Sequence, residues 1–187
     1  MPNEQIVGAI FTIALFFVLL IKKGCENVQI EQGKFYFIKD KFFDLVKDKE
    51  LCANKERGTK RPCFYCFKDS KYQDLIWFIP ISSKLEKYKK IYNKKMERTG
   101  IVDTIVFGYV EGEERAFLIQ NMFPTTKKYI IEKYIKQNRD VVVNEKLNKE
   151  LQIKANKILK LVEKGYNKIV FPDIANIKNI LLKNSEE

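Results

Sequence analysis

The 187-residue chain contains no histidine. That single absence removes histidine general acid–base catalysis, Ser-His-Asp and Cys-His nucleophile pairs, and every metal site that uses an imidazole. Any enzyme built from this sequence works with lysine, arginine, tyrosine, hydroxyls, carboxylates or thiols. Cysteines number only four: Cys25, Cys52, Cys63 and Cys66. The Cys63-Phe-Tyr-Cys66 spacing looks like a redox or metal motif, but residues three apart on a strand point to opposite faces. These thiols read as packing residues in a reducing compartment, and no metal or other cofactor is expected. Internal repeats are also absent.

Acidic charge is in short supply. Lysine and arginine total 35 against 24 acidic residues, a net charge of +11 with a pI near 9.4. Such a chain seeks a polyanionic partner, nucleic acid or an anionic membrane. Glu4, Glu26, Lys22 and Lys23 cancel, so the excess lies wholly beyond residue 27. Aromatic side chains interleaved with lysines suit stacking on unpaired bases as well as core packing.

One long apolar run stands at the start. Ile6 to Ile21 is uncharged and ends at Lys22-Lys23. As a helix it spans about 24 Å, short of a bilayer core of about 30 Å, a gap that flanking residues and local thinning can close. No cleavable signal peptide is expected, since no cation precedes the run and no small-x-small site follows it. Two readings stand: a membrane anchor with the following domain on the cytoplasmic side, or upstream sequence ahead of a translation start near Val28. Residues 1–27 are therefore set apart from a domain over residues 28–187.

Within that domain, strands are expected at Lys34–Ile38, Pro62–Phe67, Leu75–Ile81, Val102–Val110 and Arg115–Gln120, with a short one at Val141–Val143. Helices are expected from Asp40 to Lys47 with Asp40 as cap, over 84–99, 127–137 and 144–163, and finally over 174–182. Central strands with helices around them make an α+β domain: a small, strongly bent antiparallel sheet with helical insertions.

Gly58 to Lys84 holds the chemistry. Lys60-Arg61 precedes one strand and Ser82-Ser83-Lys84 ends its neighbour, so cations and hydroxyls converge on one place able to hold a phosphate. Ser83-Lys84-Leu85-Glu86 reads as a capping box, in which Ser83 starts a helix. A helix start also attracts phosphate through its unpaired N–H groups, and Lys84 and Lys87 add charge there. A lone Lys60-Arg61 pair is more often solvated loop charge. The helix from Lys84 to Arg98 carries seven cations against Glu86 and Glu97, a net of +5 that suits contacts to a phosphate backbone, with Lys87, Lys90, Lys94 and Lys95 as candidates. Trp77, Phe78, Phe123 and Tyr129 read as core.

Several segments follow one pattern in one order. Lys34-Phe35-Tyr36 opens the domain, and Arg61-Pro62 leads into a strand. Trp77-Phe78-Ile79-Pro80-Ile81-Ser82-Ser83, then Ile119-Gln120-Asn121-Met122-Phe123-Pro124, then an alanine-bearing helix at Ala155, complete the series. Over about Lys34 to Gly165 the sequence resembles the ToxN/AbiQ type III toxin–antitoxin endoribonucleases, with most likeness to their CptN-like branch. The resemblance implies a Kid/MazF-like, SH3-like small antiparallel β-barrel. It also implies metal-independent RNA cleavage, and inhibition by a small repeated antitoxin RNA in a protein–RNA hetero-oligomer. The family's catalytic serine falls on Ser83, with Ser82 at the neighbouring Ser/Thr position. Its cation before the first barrel strand falls on Arg61 or Lys60. The family has Pro then Lys after the serines; here Lys84 follows directly, so Lys84 and Lys87 both remain candidates for that lysine. Two rivals stay open: a non-catalytic basic RNA-binding module, and a membrane-tethered adaptor whose basic face meets anionic lipid.

Overall fold

The structure is a computed structural model that describes residues 29–51, 54–56 and 58–184. The apolar run from Ile6 to Ile21 lies outside the described residues. Among the described residues no helix is long and apolar enough to cross a membrane.

The fold is α+β, built on one antiparallel sheet. Its strands are β1 (Phe35–Ile38), β4 (Cys63–Lys68), β5 (Ile76–Ser82), β6 (Val106–Val110), β7 (Glu113–Phe117), β8 (Phe123–Thr125) and β9 (Ile130–Lys133). Two short hairpins, β2–β3 (Lys55–Glu56 with Thr59–Lys60) and β10–β11 (Ile135–Lys136 with Arg139–Asp140), stand beside it. Four helices are described: α1 (Asp40–Val46), α2 (Leu85–Thr99), α3 (Glu145–Glu163) and α4 (Ile174–Lys183).

Strand β5 is the axis of the sheet. Every residue from Ile76 to Ser82 is buried, because both faces of this strand are covered. One edge pairs with β4. The other is shared, Ile76–Phe78 with β8 and Ile81–Ser82 with β7. The strand order runs β6-β7-β5-β4-β1-β9, so β6 and β9 are edges and the sheet is open. The closed barrel expected from the family resemblance is not formed. Closure would need β6 and β9 to pair, and among the described residues they do not.

Alternation along the strands sends side chains to two cores. Phe35, Phe64, Trp77, Ile79 and Phe117 face α3 through Leu147, Leu151, Ala155 and Ile158. Tyr36, Ile38, Tyr65, Ile76 and Phe78 face the other way, onto Phe42 of α1 and Ile177 and Leu181 of α4. Cys63 and Cys66 are buried in opposite cores, as their strand spacing requires. A third, smaller core of Val102, Ile105, Ala116 and Leu118 lies under the half-buried stripe Leu85, Tyr88, Tyr92 and Met96 of α2.

Local chemistry sets several boundaries. Asn144 caps α3 by accepting from the Leu147 N–H at 2.8 Å, and Asp173 caps α4 through the Asn176 N–H at 3.0 Å. Gly100 closes α2 in the left-handed region, its N–H bonded to the Met96 carbonyl at 2.8 Å. The β6–β7 turn has Glu111 and Gly112 both at positive φ, which fits a two-residue turn of the I′ type.

Five sequence expectations are corrected. The strand expected from Val102 begins only at Val106. Residues 127–137 are not a helix: after a single 3-10 turn, Lys127–Tyr129, the chain becomes β9, with Ile38 opposite Ile130 and Tyr36 opposite Lys133. The unpaired edge of β1 and the β-favouring Tyr-Ile-Ile run outweigh the helix-like spacing of lysines. Val141–Val143 contributes only a bridge between Val142 and Lys34. The strand after Arg115 stops at Phe117, and Ile119–Asn121 is a 3-10 turn. Asp40 begins α1 rather than capping it, since Lys39 holds the cap position.

Candidate active site

The end of β5 is where sequence and fold meet. On one side β4 pairs Cys63 with Pro80. Arg61 stands two residues before Cys63, just ahead of β4, at the same end of the pair. On the other side β7 pairs Phe117 with Ile81 and Ala116 with Ser82. Arg115 is the neighbour of Ala116 on β7 and so stands beside this strand end. Approach to the strand end is fixed from behind. The Arg61 N–H donates to the Asn54 carbonyl at 2.7 Å, and the Asn54 amide donates to the Ile38 carbonyl at 3.0 Å and to Asp40 at 2.5 Å.

The two serines differ. Ser82 is buried, and its hydroxyl accepts from the Lys84 N–H at 3.2 Å. Ser83 is exposed, and its carbonyl accepts from the Leu85 N–H at 2.9 Å. Lys84 holds the cap position of α2 with no side-chain cap bond. The expected capping box is therefore not formed: Ser82, one residue earlier, ties the turn, and the Ser83 hydroxyl takes no part in starting the helix.

A cleft of about 530 Å³ opens at this point, and Lys60, Arg61, Ser82, Ser83 and Lys84 all line it. Residues some twenty positions apart in sequence are brought together there by the β4–β5 pairing. The cleft has further walls that the sequence did not reveal. Arg115 and Glu113 come from β7, Glu111 from the β6–β7 turn, and Tyr134 and Lys136 from the segment after β9. Tyr134 and Lys136 were hidden by the helix expected there. Arg115 could have been found only through the β5–β7 register, which has no local sequence signal. Five cations (Lys60, Arg61, Lys84, Arg115, Lys136) against two carboxylates make the cleft electropositive, suited to a phosphodiester.

The lysines of α2 separate into two kinds. Lys87, Lys90 and Lys94 are exposed on the helix that leads away from the cleft. Lys95 turns inward, donating to Thr104 Oγ1 at 2.9 Å and to Gln120 Oε1 at 2.7 Å. Burial, with the Arg98 charge nearby, pulls its ammonium pKa below the usual lysine range. Lys95 therefore anchors α2 to the Gln120 segment instead of presenting charge to a ligand. Lys89, also on α2, pairs with Glu114 at 2.7 Å.

No family model matches the sequence, and no curated protein sequence matches it. Solved structures do match the fold. The lactococcal anti-phage endoribonuclease AbiQ, of the type III toxin–antitoxin system, has a TM-score of 0.65 at 12% identity, covering 84% of this chain and 100% of AbiQ. A bacterial type III toxin–antitoxin structure, described for selective toxin inhibition by a non-coding RNA pseudoknot, has a TM-score of 0.61 at 17% identity, covering 84% and 100%. A third, from a bacterial antiviral system regulated by a processed non-coding RNA, has 0.56 at 11% identity, covering 78% and 95%. These structures do not single out the CptN-like branch. The structural neighbours of this chain are thus the AbiQ and ToxN toxins of type III toxin–antitoxin systems, and it shares their fold.

Proposed function

We propose that this chain is the toxin of a type III toxin–antitoxin system: a metal-independent endoribonuclease held inactive by a small repeated antitoxin RNA. The observation that carries this reading is the convergence of Ser82, Ser83, Lys60, Arg61 and Lys84 on one cationic cleft. The shared fold with AbiQ and with an RNA-inhibited toxin supports it.

The chemistry needs no imidazole. A ribose 2′-oxygen attacks the adjacent phosphorus, the bond to O5′ breaks, and the products carry a 2′,3′-cyclic phosphate and a 5′-OH. The proton leaving the 2′-OH passes to a basic amine, Lys60 or Lys84, and O5′ takes up a proton as it departs. The Arg61 guanidinium holds the phosphoryl oxygens in bidentate fashion and offsets the charge of the phosphorane. Exposed Ser83 orients the 2′-OH or the phosphate. Buried Ser82 fixes the turn that presents Ser83 and Lys84. Lys87, Lys90 and Lys94 extend the positive surface along α2 for the RNA backbone, and the same surface would take the antitoxin RNA in a protein–RNA assembly.

Ser83→Ala and Arg61→Ala should each lower RNA cleavage by about 100-fold or more at an unchanged melting temperature. Both should also abolish growth arrest. A folded Ser83→Ala protein that cleaves at the wild-type rate rejects the assignment of Ser83. A wild-type protein that binds RNA and leaves it intact rejects the enzyme in favour of an RNA-binding module.

A further inference from the structure

Arg115 sits in the cleft without a part in the mechanism above. It stands next to Ala116, which β7 pairs with Ser82, while Arg61 stands two residues before Cys63, which β4 pairs with Pro80. Arg61, its N–H held by the Asn54 carbonyl, and Arg115 of β7 thus reach the serine pair from opposite sides of β5, and both line the cleft. Arg115 is three-quarters buried, its Nη1 donating to the Glu114 carbonyl at 3.1 Å and its Nη2 paired with the Glu113 carboxylate. Glu113 itself is more than half exposed and lines the same cleft. An ion pair with so exposed a carboxylate is weak and easily exchanged for a stronger anion. A phosphodiester at Ser83 is such an anion, since it accepts two parallel N–H bonds from a guanidinium.

The geometry points to Arg115 as a second phosphate-holding catalytic residue, which leaves Glu113 for the scissile phosphate when RNA enters. The inference rests on the endoribonuclease reading and deepens it. One arginine alone neutralises one of the two charges that the phosphorane carries. Arginines on both sides meet both, with donors placed before the reaction begins. Glu113 keeps the resting guanidinium oriented and discourages weaker anions from occupying the cleft.

Steady-state cleavage of RNA by the full chain tests this, with wild type, S83A, R115A, R115K and E113Q in parallel. R115A should keep the wild-type melting curve and lose about 100-fold in kcat, with a smaller change in KM. Addition of guanidinium ion at low concentration should restore part of the rate to R115A and none to S83A. R115K should recover only partly, because an ammonium cannot hold two oxygens in a fork. E113Q should lower KM, because the substrate no longer competes with the carboxylate for Arg115. A folded R115A protein with wild-type kcat, beside an inactive S83A, overturns the role of Arg115 and leaves the endoribonuclease reading standing. Should R115A fail to fold, E113Q decides: a lowered KM upholds the proposal and an unchanged KM overturns it. Wild type that binds RNA without cutting it overturns both.

Discussion

Ser82 lies buried with its hydroxyl tying the turn into α2, while Ser83 stands exposed on the cleft wall. Their sequence neighbourhood suggested the site, but not this division of labour. A Ser-x-x-Glu spacing is satisfied equally by a capping box and by a turn tied one residue earlier, and only backbone geometry separates them. A second residue-scale feature sits far from the cleft. Asp69 is buried, accepts from the Trp77 indole N–H at 3.0 Å and from two backbone N–H groups, and pairs with Lys178 at 2.8 Å. The Lys178 ammonium also lies over the Trp77 ring, 5.1 Å from its centre. This network ties α4 to the β4–β5 connection. Burial raises the Asp69 pKa, but Lys178 and the N–H donors outweigh it and hold the carboxyl below its ordinary value of 3.8. A carboxyl with a lowered folded-state pKa stabilises the fold fully above its unfolded value and loses that contribution as pH falls through the folded value. Asp69→Ala should therefore cost about 3–5 kcal/mol near neutral pH, since it leaves Lys178 unpaired at a buried site. The gap from wild type should narrow below about pH 4, and urea titrations at neutral and acidic pH will measure both effects.

At the scale of elements, α3 depends on a glycine in a strand. A Cβ built on Gly108 of β6 would stand 2.2 Å from Leu147 Cδ2 and 2.9 Å from Cδ1, so α3 rests directly on the bare backbone of β6. Gly108 is not at positive φ, and conformation alone would allow alanine there. Gly108→Ala should cost about 1–3 kcal/mol by overpacking, and a Leu147→Ala change in the same chain should relieve part of that strain. Thermal unfolding of the two single variants and the double variant checks this. Elements were legible where pattern and packing agree. The apolar run of β5, the Leu147-Leu151-Ala155-Ile158 stripe of α3 and the Gly100 stop of α2 stand where the sequence places them. The segment after Lys127 was not legible. Its lysine spacing suits a helix, yet its fate is set by the open edge of β1, some ninety residues earlier.

Across the whole molecule, an open antiparallel sheet with helices on both faces presents one strand end, Ser82-Ser83, at the mouth of a cationic cleft. Half of that cleft was readable in advance, because Lys60-Arg61 lead into β4 and Ser82-Ser83-Lys84 stand at the end of β5, its antiparallel partner. The other half comes from β7 and from the segment after β9, which only the sheet order brings near. Part of the positive charge lies in the cleft and part on the exposed lysines of α2, while Lys95 is diverted to hold α2 in place. The measurement that bears most directly on the account is end-group analysis, by mass spectrometry, of RNA incubated with the purified chain in EDTA. The account predicts cleaved RNA bearing 2′,3′-cyclic phosphate and 5′-OH ends, with none formed by Ser83→Ala. Intact RNA, or products ending in 5′-phosphate and 3′-OH, would contradict it.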